Sequence, residues 1–135
     1  MDTAHVSTLM PNFDRDGLVP VTVQNKNTLQ VLMLAYMNLE AYTRTLKTGY
    51  LYLFSRSRRR IWKKGELSGN TMRAEDIRID CDGDALVCLV VPSGPACHTG
   101  KETCFWRSVA GYSLEAKWGG LKTAIVEVCK TFAKI

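Results

Sequence analysis

The 135-residue sequence lacks the features that mark membrane-spanning and fibrous proteins. Its longest uninterrupted apolar runs, such as Ala85 to Val91, are far shorter than the ~20 residues that a transmembrane helix needs. Its 4 prolines and 10 glycines exclude collagen and argue against a disordered chain. The first residues contain an early aspartate, Asp2, and no apolar core of a secretory signal, so we expect a cytoplasmic protein.

Positive charge is concentrated in one segment. Lys and Arg total 18 against 13 Asp and Glu, and six of the basic residues lie between Arg56 and Lys64. Without them the balance is slightly negative, so this local patch indicates an anionic ligand more than general adhesion to nucleic acid or membrane. The 5 cysteines are an odd number without a signal peptide, which favours metal or catalytic use over a disulfide framework.

Apolar periodicity and turn residues predict a mostly-β, α+β domain over residues 13–135, preceded by a flexible tail over residues 1–12. A helix is expected from Leu39 to Lys47, with Asn38 as its N-cap and Gly49 as its stop. Residues 121–135 fit a helix by spacing, although their β-branched content leaves a strand open. A polar loop or loose ribbon follows residue 54. The predicted strands are residues 19–24, 29–36, 50–54, 77–81, 85–91 and 105–106.

Three alternating aspartates lie at a predicted hairpin whose tip is Asp82-Gly83. On an extended chain their carboxylates point to one face and Cys81 to the other. Hard oxygen ligands suit magnesium or calcium, but residues 85 and 91 are not the glycine and glutamate that an EF-hand requires. A plain acidic turn is the alternative. The three aspartates are Asp80, Asp82 and Asp84.

Three cysteines have a different character from the two, Cys88 and Cys129, that we expect in the core. Their spacing fits neither a zinc knuckle nor a redox CxxC motif. Three thiolates would leave one tetrahedral position open, as in a catalytic zinc site. Next to one of them, His98 is open to three interpretations, as a fourth ligand, a general base or a loop donor. The three cysteines are Cys81, Cys97 and Cys104.

The basic segment over residues 55–70 has the composition of a phosphate-binding surface. Arginine binds phosphate through two hydrogen bonds, serine and backbone groups add neutral donors, and Trp62 can stack on a base. A nucleic-acid patch or a solvated face is equally compatible with the charges alone. The candidate ligand-binding residues are Arg56, Arg58, Trp62, Lys64, Glu66, Ser68 and Asn70.

Taken together and in this order, these stretches resemble the stand-alone phosphoribosyl-AMP cyclohydrolases of histidine biosynthesis. Further matches are residues 31–38, Thr48-Gly49 and residues 97–100, and the resemblance covers about residues 13–106. It implies hydrolysis of the purine N1–C6 bond of 1-(5-phosphoribosyl)-AMP, giving the formimino-aminoimidazole carboxamide ribonucleotide. Residues 107–135 carry no match and are too few for a fused pyrophosphohydrolase domain.

The resemblance also implies cofactors, roles and assembly. It assigns one zinc per subunit to Cys81, Cys97 and Cys104, and magnesium to the three aspartates. Zinc-activated water would open the ring, and His98 is our candidate for moving the proton. The family fold implied is a barrel-like core of twisted sheets with short helices, in an intertwined homodimer that shares zinc between subunits. The strand alternation around Cys81 agrees with that sharing.

Two other functions agree less well with the sequence. A nucleic-acid-binding module with a structural zinc would need four ligands and would leave the aspartates unexplained. A zinc nucleoside deaminase would need an H-x-E and a P-C-x-x-C motif, both of which are missing here. The sequence therefore predicts a small nucleotide substrate, with neither nucleic acid nor membrane as a partner.

Overall fold

The computed structural model of the chain describes residues 9–109. Residues 9–104 belong to one compact unit and residues 105–109 to another. The predictions for residues 1–8, for Cys129 and for the 121–135 segment lie outside the described residues. In order along the chain, the elements are β1 (Val19–Asn25), β2 (Val31–Met37), α1 (Leu39–Thr48), β3 (Tyr52–Ser55), β4 (Arg60–Lys63), β5 (Met72–Ile79) and β6 (Leu86–Pro92).

The strands form an open four-stranded sheet and a separate two-stranded ribbon. The sheet has the order β2-β1-β6-β5, in which β1 and β6 are parallel and the other neighbours are antiparallel. The ribbon pairs β3 with β4. The mostly-β fold is thus confirmed, with one helix and a mixed sheet within residues 9–109. The sheets of residues 9–109 do not close into the barrel-like core that we expected.

Alternating apolar side chains explain where the core lies. Val19, Val21 and Val23 of β1 are fully buried, as are Cys88 and Val90 of β6. Successive strand residues point to opposite faces, so this spacing buries one face of the sheet. The buried residues contributed by the helix and the ribbon are Ala41, Tyr42, Thr45 and Leu53. The prediction that Cys88 is a core residue is confirmed, and burial raises the pKa of its thiol to about 12.

Helix α1 begins and ends as its sequence predicts. The Asn38 side chain accepts a hydrogen bond from the backbone N–H of Ala41 at 2.9 Å, which satisfies one of the free donors of the first turn. Gly49 adopts φ 77°, and its N–H donates to the Thr45 carbonyl. A left-handed residue at this position favours glycine. The chain is thereby turned directly into the bridge at Tyr50 and strand β3.

Of the loop and the ribbon predicted after residue 54, the ribbon is confirmed, because residues 60–63 form strand β4 and pair residue by residue with β3. Two other local predictions were wrong. Strand β5 starts at Met72 and ends at Ile79, so the aspartate motif lies in a turn and not on an extended strand. Phe105 and Trp106 are 60% and 47% exposed and lie in no strand. No helix within residues 9–109 is both long and apolar enough to cross a membrane.

Candidate functional site

A cavity of about 650 Å³ collects most of the candidate residues. Its walls come from residues 33–36 of β2, from the ribbon and the turn after it within residues 54–70, and from residues 95–98 and Gly100 of the loop after β6. The structure thus brings together residues far apart in sequence. All seven candidate ligand-binding residues line this cavity, and Cys97 and His98 line it with them.

The basic wall of the cavity is built by the β3–β4 ribbon. In its connecting loop the Ser55 hydroxyl accepts a hydrogen bond from the Arg58 N–H at 3.2 Å, and Arg59 adopts a left-handed conformation with φ 53°. On the strand that follows, Arg60 lies 3.6 Å from Glu66 in an exposed ion pair. Lys64 completes this wall. Its Nζ donates a hydrogen bond to the Ala96 carbonyl at 2.6 Å and lies 5.6 Å from the centroid of the Trp62 ring.

The polar wall depends on two glycines that allow Asn70 to pack closely. A Cβ on Gly65 would lie 2.3 Å from the Asn70 carbonyl carbon, and Gly65 has φ 83°. A Cβ on Gly94 would lie 2.3 Å from Asn70 Oδ1. The Asn70 N–H in turn donates to the Ser68 hydroxyl at 3.2 Å. Larger residues at either glycine would displace the asparagine, so its place in the wall depends on both glycines.

Two of the three candidate zinc ligands are neighbours within one chain. The Thr99 hydroxyl donates to Cys97 Sγ at 3.0 Å. Hydrogen bonds from the Thr99 side chain and backbone, and then from Cys104, lower the pKa of the Cys97 thiol. Desolvation, followed by the charge of Cys97, raises the pKa of Cys104. Cys97 is therefore the more acidic of two adjacent thiols, and the pair forms a soft donor set that fits zinc.

The third cysteine lies elsewhere. Cys81 is exposed in the turn between β5 and β6. Among residues 9–109, the one set of three His, Cys, Asp or Glu side chains that brings its ligand atoms together is the aspartate set, so Cys81 does not join Cys97 and Cys104 within a single chain.

The three aspartates converge because of a turn. Asp80 Oδ1 accepts from the N–H groups of Asp84 and Ala85 at 2.9 and 3.3 Å, which curls the chain around its carboxylate. The ligand oxygens of Asp80, Asp82 and Asp84 then lie within 4.8 Å of one another. Gly83 supplies the necessary positive φ, 79°. The predicted hairpin is confirmed, but the strand alternation that we expected to gather these side chains was the wrong reason.

The carboxyl groups of the acidic turn shift one another's pKa values. Hydrogen bonds to Asp82 and Asp80, together with their charges, raise the pKa of Asp84 to about 6. Desolvation raises the pKa of Asp80, but hydrogen bonds from Asp84, Asp82 and the backbone outweigh it and leave that pKa below its usual value. The three carboxylates thus repel one another when all are ionised. Carboxylate oxygens so arranged could hold a divalent cation, whose charge would offset that repulsion.

The sequence did not single out two residues that support these sites. Tyr36 lines the cavity, and its ring lies 4.0 Å below the Arg56 guanidinium carbon. Asn12 holds the acidic turn: its Nδ2 donates to the Asp82 carbonyl at 2.8 Å and its N–H to the Gly83 carbonyl at 2.7 Å. Tyr36 lies within the 31–38 run that carried the resemblance, whereas nothing in the sequence distinguished Asn12.

Comparison with known proteins gives this site a family. The family model described as phosphoribosyl-AMP cyclohydrolase matches residues 33–106. A phosphoribosyl-AMP cyclohydrolase of Erythrobacter litoralis is 52% identical over 99 residues, which cover 73% of this chain and 79% of that protein. The chain belongs to the phosphoribosyl-AMP cyclohydrolase family. The resemblance stated from the sequence is confirmed, and with it a hydrolase of histidine biosynthesis at the level of the family.

Other relatives include a second cyclohydrolase and a longer bifunctional protein. The cyclohydrolase of Archaeoglobus fulgidus is 56% identical over 99 residues, which cover 73% of this chain and 92% of the relative. A histidine biosynthesis bifunctional protein of Halalkalibacterium halodurans is 48% identical over 114 residues, or 82% of this chain. The matched region spans 54% of that bifunctional protein. Every candidate site residue from Arg56 to Cys104 falls within the matched family region.

Proposed function

We propose that this chain hydrolyses the N1–C6 bond of the purine ring in 1-(5-phosphoribosyl)-AMP and releases the formimino-aminoimidazole carboxamide ribonucleotide. The observation that carries the proposal is the shared cavity. Basic side chains, an indole ring, a thiol and an imidazole line one volume of about 650 Å³. The basic side chains and the indole ring suit a nucleotide with two phosphates. The thiol and the imidazole suit hydrolysis at a ring carbon.

The ribbon wall would bind the substrate. Arg56 and Arg58 offer planar guanidinium groups that suit bidentate contacts to phosphate. The Trp62 ring supplies a face on which the purine can stack. On the polar wall, Glu66, Ser68 and Asn70 would contact hydroxyl groups and ring edges of the substrate. Lys64 would face the substrate near the loop that carries Cys97. The substrate is the small nucleotide, with no role for nucleic acid.

Zinc would be held by Cys97 and Cys104 of one subunit together with Cys81 of the partner subunit. In favour of this donor set are the adjacency of the first two thiols, the lowered pKa of Cys97 and the separate place of Cys81 in its own chain. A homodimer with two such sites would follow, active in the cytoplasm. Zinc when bound would supply the Lewis acidity that activates water at neutral pH.

Magnesium would be held by Asp80, Asp82 and Asp84. Three carboxylates within 4.8 Å of one another form a hard donor set, which suits magnesium better than zinc. The raised pKa of Asp84 supports this assignment, because it reflects repulsion among the carboxylates that a bound cation would relieve. Asn12 would keep the turn in the conformation that gathers these oxygens.

His98 would move the proton that the reaction requires. Water adds through its oxygen to C6, and the electron pair of the C6–N1 bond passes to N1 as that bond breaks. The water gives up both protons as its oxygen becomes a carbonyl. One passes to the exocyclic nitrogen or to solvent, and the other must reach N1, where an imidazole at the cavity wall can deliver it. C6 thereby becomes the carbonyl carbon of the carboxamide.

The proposal is tested by incubating the purified protein with 1-(5-phosphoribosyl)-AMP and following the ultraviolet change of ring opening. We expect product in the wild type, none after chelation of metal, and a large loss of kcat in His98→Ala. Absence of turnover by zinc-loaded wild-type protein would contradict the proposal. Tight, salt-sensitive binding to random oligonucleotides in its place would favour a nucleic-acid module.

A further inference from the structure

Arg56, a cationic side chain at the cavity wall, lies against an aromatic ring. Its guanidinium carbon lies 4.0 Å from the centroid of the Tyr36 ring, close enough for a cation–π interaction. Tyr36 belongs to β2 of the four-stranded sheet, whereas Arg56 belongs to the loop of the β3–β4 ribbon. The contact therefore fastens an exposed loop side chain to the main sheet, at the wall of the cavity.

Stacking of this kind leaves the hydrogen-bonding edge of the guanidinium available. Its N–H donors lie in the plane of the group, so a ring on one face occupies none of them. Within residues 9–109 Arg56 takes part in no ion pair, whereas Arg60 is paired with Glu66. A carboxylate partner would have occupied that edge and reduced the positive charge, and an aromatic partner does neither.

We propose that Tyr36 is a positioning residue that preorients Arg56 to bind one phosphate of the substrate; this proposal rests on the proposed function. An unsupported arginine on an exposed loop loses rotational freedom when it binds, and that loss weakens affinity. A side chain already fixed by the ring loses less. The tyrosine hydroxyl has no part in this, so the ring alone should suffice.

The chain offers a matched control. The ammonium of Lys63, on β4 of the ribbon, lies 4.4 Å from the ring of Tyr50, which precedes β3, and this is another cation–aromatic contact. Neither Tyr50 nor Lys63 lines the cavity. Replacing Tyr50 with leucine removes a similar contact and a similar ring without changing a residue that lines the cavity. Any effect specific to Tyr36 should therefore be missing from Tyr50→Leu.

The experiment compares wild type, Tyr36→Leu, Tyr36→Phe, Arg56→Ala, the double variant Tyr36→Leu/Arg56→Ala and Tyr50→Leu. We expect Tyr36→Leu to raise KM for 1-(5-phosphoribosyl)-AMP about three- to tenfold at nearly constant kcat, the range of a partly exposed cation–π contact. Phenylalanine should restore KM to within about twofold of wild type. The double variant should be no worse than Arg56→Ala alone, because the tyrosine acts through the arginine.

Calorimetric titration with AMP on the same proteins measures phosphate binding without turnover. A parallel loss of AMP affinity in Tyr36→Leu and Arg56→Ala supports the proposal even if the wild type does not open the ring, an outcome that would overturn only the proposed function. An active wild type whose KM and AMP affinity are insensitive to Tyr36→Leu overturns the positioning role. So do additive effects in the double variant, a Tyr36→Phe protein as impaired as Tyr36→Leu, or a wild type that neither turns over nor binds AMP.

Discussion

The proposed sharing of zinc between subunits predicts that two inactive variants restore activity to each other. In Cys81→Ser and in Cys97→Ser, each site of the homodimer loses one thiolate, and we expect both proteins to be nearly inactive. Unfolding an equal mixture and refolding it with zinc should produce mixed dimers. Those dimers test which thiols belong to the same site.

The size of the recovery follows from where one chain places its cysteines. Cys97 and Cys104 are neighbours in one chain, and Cys81 is not with them. In a mixed dimer one site therefore lacks both Cys81 and Cys97, while the other site has all three thiolates. Random pairing makes half of the dimers mixed, and half of their sites are intact, so about a quarter of wild-type activity should return.

The assay is the initial rate of ring opening at saturating substrate, with dimer formation checked by size-exclusion chromatography. Mixing Cys97→Ser with Cys104→Ser is the matched control. Both of those thiols come from the same chain of each site, so their mixed dimers have no intact site and no activity should return. Well-folded mixed dimers of Cys81→Ser and Cys97→Ser without recovery would refute the sharing of zinc between subunits.

Three further predictions concern local chemistry. The folded-state pKa of Asp84, about 6, exceeds its ordinary 3.8, so the stability that its proton contributes is lost as pH rises from 3.8 to about 6. In chelator, the melting temperature should fall between these two pH values in wild type and fall less in Asp84→Asn. Gly83→Ala should cost about 1–2 kcal/mol through its positive φ, and more than Gly17→Ala, which has the same strain but no close neighbour; chemical denaturation measures both. Thr99→Val should slow alkylation of metal-free Cys97 at neutral pH about three- to tenfold, because its hydroxyl stabilises the thiolate; peptide mass spectrometry follows the rate.

Each of these three has an outcome that would count against its reasoning. An Asp84→Asn protein with the same pH profile as wild type would mean that the proton is not held by Asp84. Equal costs at Gly83 and Gly17 would mean that contact with the neighbouring asparagine adds nothing to the strain of the turn. Unchanged alkylation in Thr99→Val would place the control of the thiolate elsewhere.

Local signals in the sequence were sufficient for the first half of the fold. The pairing of β1 with β2 and the caps of α1 depend on residues close together in the chain, such as Asn38 and Gly49. Strand β4 was left open between a loop and a loose ribbon because its residues are mostly charged, and pairing with β3 makes them a strand. The open sheet order, with β1 beside β6, joins segments too distant for any local pattern to reveal.

The candidate site shows the same division. Residue chemistry selected the seven cavity-lining residues and the aspartates, because cationic, thiol and carboxylate groups have few structural reasons to cluster. Their geometry was not predictable. A turn bonded to Asp80, rather than strand alternation, gathers the carboxylates. Tyr36 and Asn12 support the site through contacts across elements, and an ordinary tyrosine or asparagine gives no sign of such a contact in the sequence.

The central claim, that this chain adds water to C6 of its nucleotide and breaks the C6–N1 bond, is tested most directly by turnover in water enriched in oxygen-18. Mass spectrometry of the product, with fragmentation at the carboxamide, locates the label. We predict one labelled oxygen, in the carboxamide carbonyl, formed by the wild type and not by His98→Ala over the same time. An unlabelled product, a label elsewhere, or no product from zinc-loaded wild-type protein would contradict the account.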